Sequence, residues 1–434
     1  MSEPLLPRRR PGDLAHRSRD IVPPHVVAAA AAAIEAVRAR GDAAVREYAE
    51  RFGEVQPGAP LVIRREVLCR ALADLPAGDR AGLVRVAARI RAFAEAQRQA
   101  LAPITLPLPG GAAGHSIAPV ERAGCYAPGG RYTLPSSVLM TAVTARAAGV
   151  NEVWVASPNP RPVTLAAAAV AGADGLLAAG GAHAIAALAY GVGPIAPCDA
   201  IVGPGNRYVT AAKQLVAGRV GIDTLAGPSE LLVFADASAD PATVAADLLA
   251  QAEHDPDAVP VLVTLDSTLA EPVEHEIQRQ LADLPTARVA RAALANGGVI
   301  VVRTVDEGIA VCDAIAPEHL QLELLSAGAV APRLTHYGAL FIGSGAAEVL
   351  GDYGAGPNHV LPTGGAARWA GGLSVYAFLR VRTWLRVDDA ATARPLFEDA
   401  ARLARLEGLE AHARAAERRL DPTAATRPTP ASAG

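Results

Sequence analysis

Aromatic residues are scarce in this chain: Phe, Trp and Tyr make up 4% of 434 residues. Cysteine is sparse too. The four present, Cys69, Cys125, Cys198 and Cys312, lie far apart and form no CxxC pair. That argues against a disulfide scaffold and a cysteine-based zinc site, and fits reduced thiols in a cytosolic protein. Charge of one sign is not concentrated anywhere. The formal net charge is −4, and Arg8 to Arg10 form the one short basic run. Nucleic-acid binding needs clustered Lys and Arg, so no such partner is expected. Those arginines precede Pro11, Gly12 and Asp13 rather than an apolar segment, which does not read as a signal peptide. Gly175 to Pro197 has the length of a membrane span but is mostly Ala and Gly, contains His183, and ends in Gly193, Pro194 and Pro197. It reads as a buried strand, turn and helix, so no membrane partner is expected.

What is present is alternation. Half of the residues, 51%, are hydrophobic, and short apolar runs alternate with helical stretches, the pattern of α/β domains. The length points to two or three domains. Residues 24 to 52 read as two helices broken at Gly41–Asp42, and 77 to 100 as one long helix. Strands are expected at 152–157, 199–202, 231–235, 259–265 and 298–304. The fold class predicted is α/β, with two Rossmann-like open parallel sheets and a helical C-terminal extension. The boundaries expected are an N-terminal arm at 1–22, a discontinuous first domain of 23–122 plus 232–374, and an inserted NAD-binding domain at 123–231. A helical segment at 375–421 and a disordered tail at 422–434, rich in Pro, Thr, Ser and Ala, complete them.

Several constellations could carry chemistry. Gln251 and His254 close a helical stretch three residues apart, on one face, and could offer an amide oxygen and an imidazole nitrogen to a divalent metal. Taken alone, such a pair is more often a polar helix end. Glu318 and His319 follow Pro317, which breaks the helix from Asp306 to Ile315. They sit at a helix-to-strand junction, with a strand expected from Gln321 to Leu325. Histidine titrates near neutrality and suits general-base work, and the adjacent Glu could act on water. An exposed loop pair would look the same in isolation. The segment from Gly351 to Thr363 joins Asp352, a plausible metal carboxylate, to His359 through glycines and prolines that force a specific backbone path. Glu407 and His412 are five apart on the C-terminal helix and read, by themselves, as solvated charges. Glycine loops occur at Ala127 to Arg131, Gly180 to His183 and Gly203 to Asn206. Loops of this kind let backbone amides approach phosphates, but none matches GxGxxG with an acid about twenty residues on. Tight turns and nucleotide binding both remain open for them.

Taken together, the segments QAEH (251–254), APEHL (316–320), GDYGAGPNHVLPT (351–363), GPGN (203–206), AGPSE (226–230) and EGLEAH (407–412) resemble the histidinol dehydrogenase family. The resemblance covers about residues 24 to 418. It implies a cytoplasmic enzyme of histidine biosynthesis that oxidises L-histidinol to L-histidine through bound histidinal, using two NAD+. It also implies one Zn2+ per subunit held by Gln251, His254, Asp352 and His412. The substrate would touch these residues and Ser229, His319, His359 and Glu407. Tyr126, His183 and Asn206 match cofactor-contacting positions. The family forms an intertwined homodimer in which Glu407 and His412 reach the partner's site. The mechanism implied gives His319 the alcohol proton and Glu318 the activation of water on the aldehyde.

The chain departs from the family pattern in places. His183 stands where the family usually has Gln, and Ala346–Ala347 replace Thr-Pro before Glu348. Cys125 and Arg131–Tyr132 are similar to relatives that oxidise other alcohols, such as a sulfonated propanediol. A zinc and NAD dehydrogenase acting on such an alcohol is therefore the alternative, and a catalytically silent zinc-binding paralogue the lesser one.

Overall fold

The computed structural model describes residues 4–15, 22–130 and 132–420. The tail from 422, Arg131 and part of the N-terminal arm lie outside the described residues. The chain divides into two compact units, one of Met1–Arg98 with Val120–Phe378, the other of Gln99–Pro119 with Leu379–Gly434.

The first unit holds two open sheets. One has six strands in the spatial order Val62–Arg64, Gly175–Leu177, Glu152–Ala156, Arg122–Tyr126, Ala200–Val202, Gly221–Ile222. All its pairings are parallel except the first, which is antiparallel. The other has five strands, all parallel, in the order Gly298–Val301, Val259–Thr264, Glu230–Ala235, His319–Glu323, Ala339–Ile342. Central strands in such sheets are covered on both faces, so they are continuous apolar runs rather than alternating ones. Val259–Thr264 and His319–Glu323 are buried at every residue.

Alanine does the work that aromatics do elsewhere. In the helix Gly181–Tyr190 five alanines are buried, Ala182, Ala184, Ala186, Ala187 and Ala189, and the run from Gly175 is a strand, turn and helix inside the unit. Among the described residues no helix is long and apolar enough to cross a membrane. The helix pair expected at 24–52 is Pro24–Arg40 and Asp42–Arg51, parted by Gly41 at φ 53°. Pro241–Ala252 starts on Asp240, whose side chain accepts from the Thr243 amide, with Pro241 at the first helical position.

One junction differs from the sequence reading. Ala316 takes a left-handed φ of 52°, stopping the helix Val305–Ile315 abruptly. The chain is extended immediately afterwards, so His319 opens the strand, two residues earlier than expected, and pairs in register with Leu231 and Ala339.

In the second unit Leu379–Val387, Gly111–Pro119 and Ile104–Leu108 form an antiparallel sheet, followed by helices Arg394–Leu406 and Glu410–Glu417 packed on each other. The C-terminal region is helical from Arg394, but a strand precedes it. Its alternation explains why: Leu379, Val381, Thr383, Leu385 and Val387 interleave with Arg380, Arg382, Trp384 and Arg386, a period of two. Leu385, Leu403 and Leu406 are exposed in this unit.

Candidate active site

A cleft of about 1590 Å³ in the first unit is lined from both sheets. The sheets meet it at opposite strand ends. From the six-stranded sheet come the loops beyond the strand C-termini: Tyr126 to Gly130, Pro158–Asn159, Gly181 to His183 and Pro204 to Asn206. In an open α/β sheet this is the edge where ligands bind. Gly203 holds one loop against its neighbour, since a Cβ there would lie 2.0 Å from the Tyr126 carbonyl oxygen. The chain's single lysine, Lys213, is buried and donates to the carbonyls of Gly203 and Thr224 at 3.0 and 2.8 Å. Asn206 caps the helix Arg207–Val216, its Oδ1 accepting from the amides of Tyr208 and Val209. Its side-chain NH2 remains available as a donor. Tyr126 Oη accepts from the Gly181 amide at 3.2 Å.

From the five-stranded sheet come the strand beginnings. Ser229 precedes Glu230–Ala235, and Glu318 precedes His319–Glu323. The Glu318 carboxylate accepts from Ser229 Oγ at 2.5 Å and from the Glu230 amide at 2.9 Å. Burial nevertheless dominates and pushes its pKa up to about 8. His319 Nδ1 lies 3.1 Å from the Glu230 carbonyl oxygen. A carbonyl only accepts, so Nδ1 carries the proton and Nε2 keeps its lone pair. That nitrogen faces Glu348 Oε1 and Asp352 Oδ1, each at 3.8 Å. Burial lowers the His319 pKa, against the opposing pull of Asp352 and the Glu230 carbonyl, which favours the neutral ring.

Beside this pair is a set of metal-ligand type. The helix Pro241–Ala252 returns from strand Glu230–Ala235, so its C-terminal end carries Gln251 and, just beyond it, His254 back to the same strand edge. His254 Nε2 is 3.4 Å from Asp352 Oδ2. One ligand atom each of His254, Glu348 and Asp352 lies within 4.8 Å of the others. Gln251 is fully buried, with neither amide atom hydrogen-bonded, and both Glu348 oxygens are also unpartnered. Buried polar groups are rarely left so, and an ion between them would satisfy them. Burial works against the Asp352 charge, but the His254 hydrogen bond and the rings of His359, His319 and His254 hold its pKa down at about 2. Burial, with the neighbouring Asp352 and Glu318 carboxylates, raises that of Glu348. His359 Nδ1 donates to the Asp352 carbonyl at 3.0 Å, leaving Nε2 3.3 Å from Ser137 Oγ.

The structure thus brings together Ser229, Gln251, His254, Glu318, His319, Asp352 and His359, with Tyr126, His183 and Asn206 on the other side of the cleft. Glu407 and His412 belong to the second unit, at the end of Arg394–Leu406 and within Glu410–Glu417. Two carboxylates, the buried Glu348 and the part-buried Glu54, were not singled out from the sequence. Glu348 has a signal, its four-residue spacing from Asp352 on one helical turn. Glu54, which accepts from His183, has none: its partner is 129 residues away.

Two mostly parallel sheets, an anion-friendly loop edge and a histidine–carboxylate cluster with unpartnered ligands define the class: a nucleotide-linked α/β enzyme with a cation-ready acid–base site. The histidinol dehydrogenase family model matches residues 17–420. A histidinol dehydrogenase of Thermus thermophilus is 48% identical over 388 residues, covering 89% of this chain and 92% of the relative. That of Caulobacter vibrioides is 45% identical over 401 residues, 92% of this chain and 93% of the relative. The crystal structure of histidinol dehydrogenase from Elizabethkingia anophelis superposes with a TM-score of 0.90 at 30% identity, covering 97% of this chain and 99% of that one. The chain belongs to the histidinol dehydrogenase family. It is an NAD-dependent oxidoreductase.

Proposed function

We propose that the chain oxidises L-histidinol to L-histidine in the cytoplasm, in two oxidations at one site. The observation that carries this reading is the tautomer-fixed His319 beside the buried Glu318, next to Gln251, His254 and Asp352. His319 Nε2 is the base for the alcohol proton, because the Glu230 carbonyl holds the ring proton on Nδ1. Glu318 is the base for water on the aldehyde. Its raised pKa makes the carboxylate, once ionised, a stronger base than an exposed Glu. Ser229 and the Glu230 amide fix its orientation. The cleft retains the aldehyde between the two oxidations.

The donor set fits zinc: an amide oxygen from Gln251, an imidazole from His254 and a carboxylate from Asp352, with His412 of the partner subunit. Bound there, the ion would anchor the imidazole and amine of the substrate, and bound NAD+ would take up hydride. Tyr126 and Asn206 would hold the dinucleotide, and His359 and Glu407 the substrate. The homodimer this requires is supported by the exposed Leu385, Leu403 and Leu406 of the second unit. Zinc-loaded protein given a measured amount of L-histidinol and excess NAD+ is expected to form two NADH per histidinol. Turnover of other alcohols with none of histidinol would overturn the substrate.

A further inference from the structure

The strand-edge loop that carries His183 is already occupied. Glu54 Oε2 accepts from the Gly180 amide at 2.9 Å and from His183 Nε2 at 2.8 Å. The His183 ring is stacked on Tyr48 and Phe52, with centroids 5.3 and 5.9 Å away, and its side chain is 3% exposed. His183 is therefore almost fully buried in the cleft wall, its Nε2 committed to Glu54. Glu54 also lines the cleft, is the more exposed of the two at 13%, and its Oε1 makes no hydrogen bond among the described residues.

We infer that Glu54, rather than His183, is the cofactor-contacting group here, and that it accepts the hydroxyls of the adenosine ribose, selecting NAD over its 2′-phosphorylated counterpart. The inference rests on the dinucleotide lying in this cleft. A carboxylate only accepts, so it needs a hydroxyl or amine donor and repels a phosphate. At the N-terminus of the helix Gly181–Tyr190, Glu54 takes the Gly180 amide and Tyr126 Oη the Gly181 amide, so neither is free for the diphosphate. The loop follows strand Gly175–Leu177, two strands from Arg122–Tyr126, roughly 10 Å along the sheet edge, on the side away from Ala200–Val202 and Asn206. Phe52, 59% exposed, lines the cleft beside Glu54, with Arg51 over its ring at 5.6 Å. An acidic side chain on the ribose 2′-hydroxyl is a general device for preferring NAD. In this chain it comes from the segment after the helix Asp42–Arg51, packed on the loop at Gly180, and His183 acts as the positioning residue that aims it.

The test compares wild type, Glu54→Gln and Asn206→Ala in NAD+- and NADP+-driven oxidation, with NADH and NADPH binding followed by fluorescence. The wild type is expected to prefer NAD+ by at least about 10-fold in kcat/KM, and Glu54→Gln to shrink that preference about 10-fold, the scale of one charge-assisted contact. A preference unchanged within about 2-fold in Glu54→Gln, while Asn206→Ala weakens NADH binding, would overturn the role of Glu54 alone. If neither variant alters dinucleotide binding, the placement of the cofactor fails, and the inference with it. Competition by ADP-ribose and its 2′-phosphate against NAD+ needs no variant. Equal inhibition by the two, as would follow if nearby Arg51 received the phosphate, also overturns the proposal.

Discussion

The two sheets of the first unit meet one cleft with opposite edges. The six-stranded sheet presents its strand C-termini, where the following helices begin; the five-stranded sheet presents its strand N-termini, where helices end. Helix N-termini carry partial positive charge and free amides, suited to an anionic dinucleotide. Helix C-termini carry partial negative charge, suited to a cation, and Gln251 and His254 sit at such an end. The first edge is built largely of glycine loops and backbone amides. The second concentrates Glu318, His319, Glu348 and Asp352. Cofactor binding and acid–base chemistry thus fall on separate scaffolds, so a variant on one edge should leave the other function standing.

The largest break should come from His319→Ala. The loss of kcat is expected to be at least about 100-fold, the scale of a missing general base, with NADH binding by fluorescence unchanged. Weakened NADH binding would show that the two edges are not separable. Next in size is Gln251→Ala, which should lower zinc affinity by at least about 10-fold, read as metal content after dialysis. Unchanged zinc would remove Gln251 from the ligand set.

The smallest effect sharpens the comparison through pH. Glu318 has a folded pKa near 8 against an ordinary 4.5. A raised value means that the protonated form is favoured by folding. Its contribution to stability is full below 4.5 and is lost as pH rises through about 8. In metal-free protein, 13C NMR of the Glu318 carboxyl should show a midpoint well above 4.5, and Glu318→Gln should flatten the fall in urea stability over that interval. An ordinary midpoint would contradict the buried, poorly solvated setting described for this carboxyl.

Much of the scaffold was legible because parallel strands are apolar runs and the helices break at Gly41 and just before Pro317. The chemistry was legible only in part. Gln251 with His254 and Glu318 with His319 are each weak as pairs, and gained meaning together. That His319 lies inside a strand depends on the left-handed Ala316, a conformation alanine rarely takes and no pattern announces. The Glu54–His183 contact joins residues remote in sequence through the packing of Asp42–Arg51 against Gly181–Tyr190. His183 matches a cofactor-contacting position, but no pattern in the sequence shows that its ring is committed to Glu54.

The division of labour between His319 and Glu318 is tested most directly by pre-steady-state NADH formation in Glu318→Gln with L-histidinol and excess NAD+. One NADH per site, formed at near wild-type rate and followed by a stall with histidinal bound, is the predicted result. Rapid formation of two NADH per site would contradict it and remove Glu318 as the base for water.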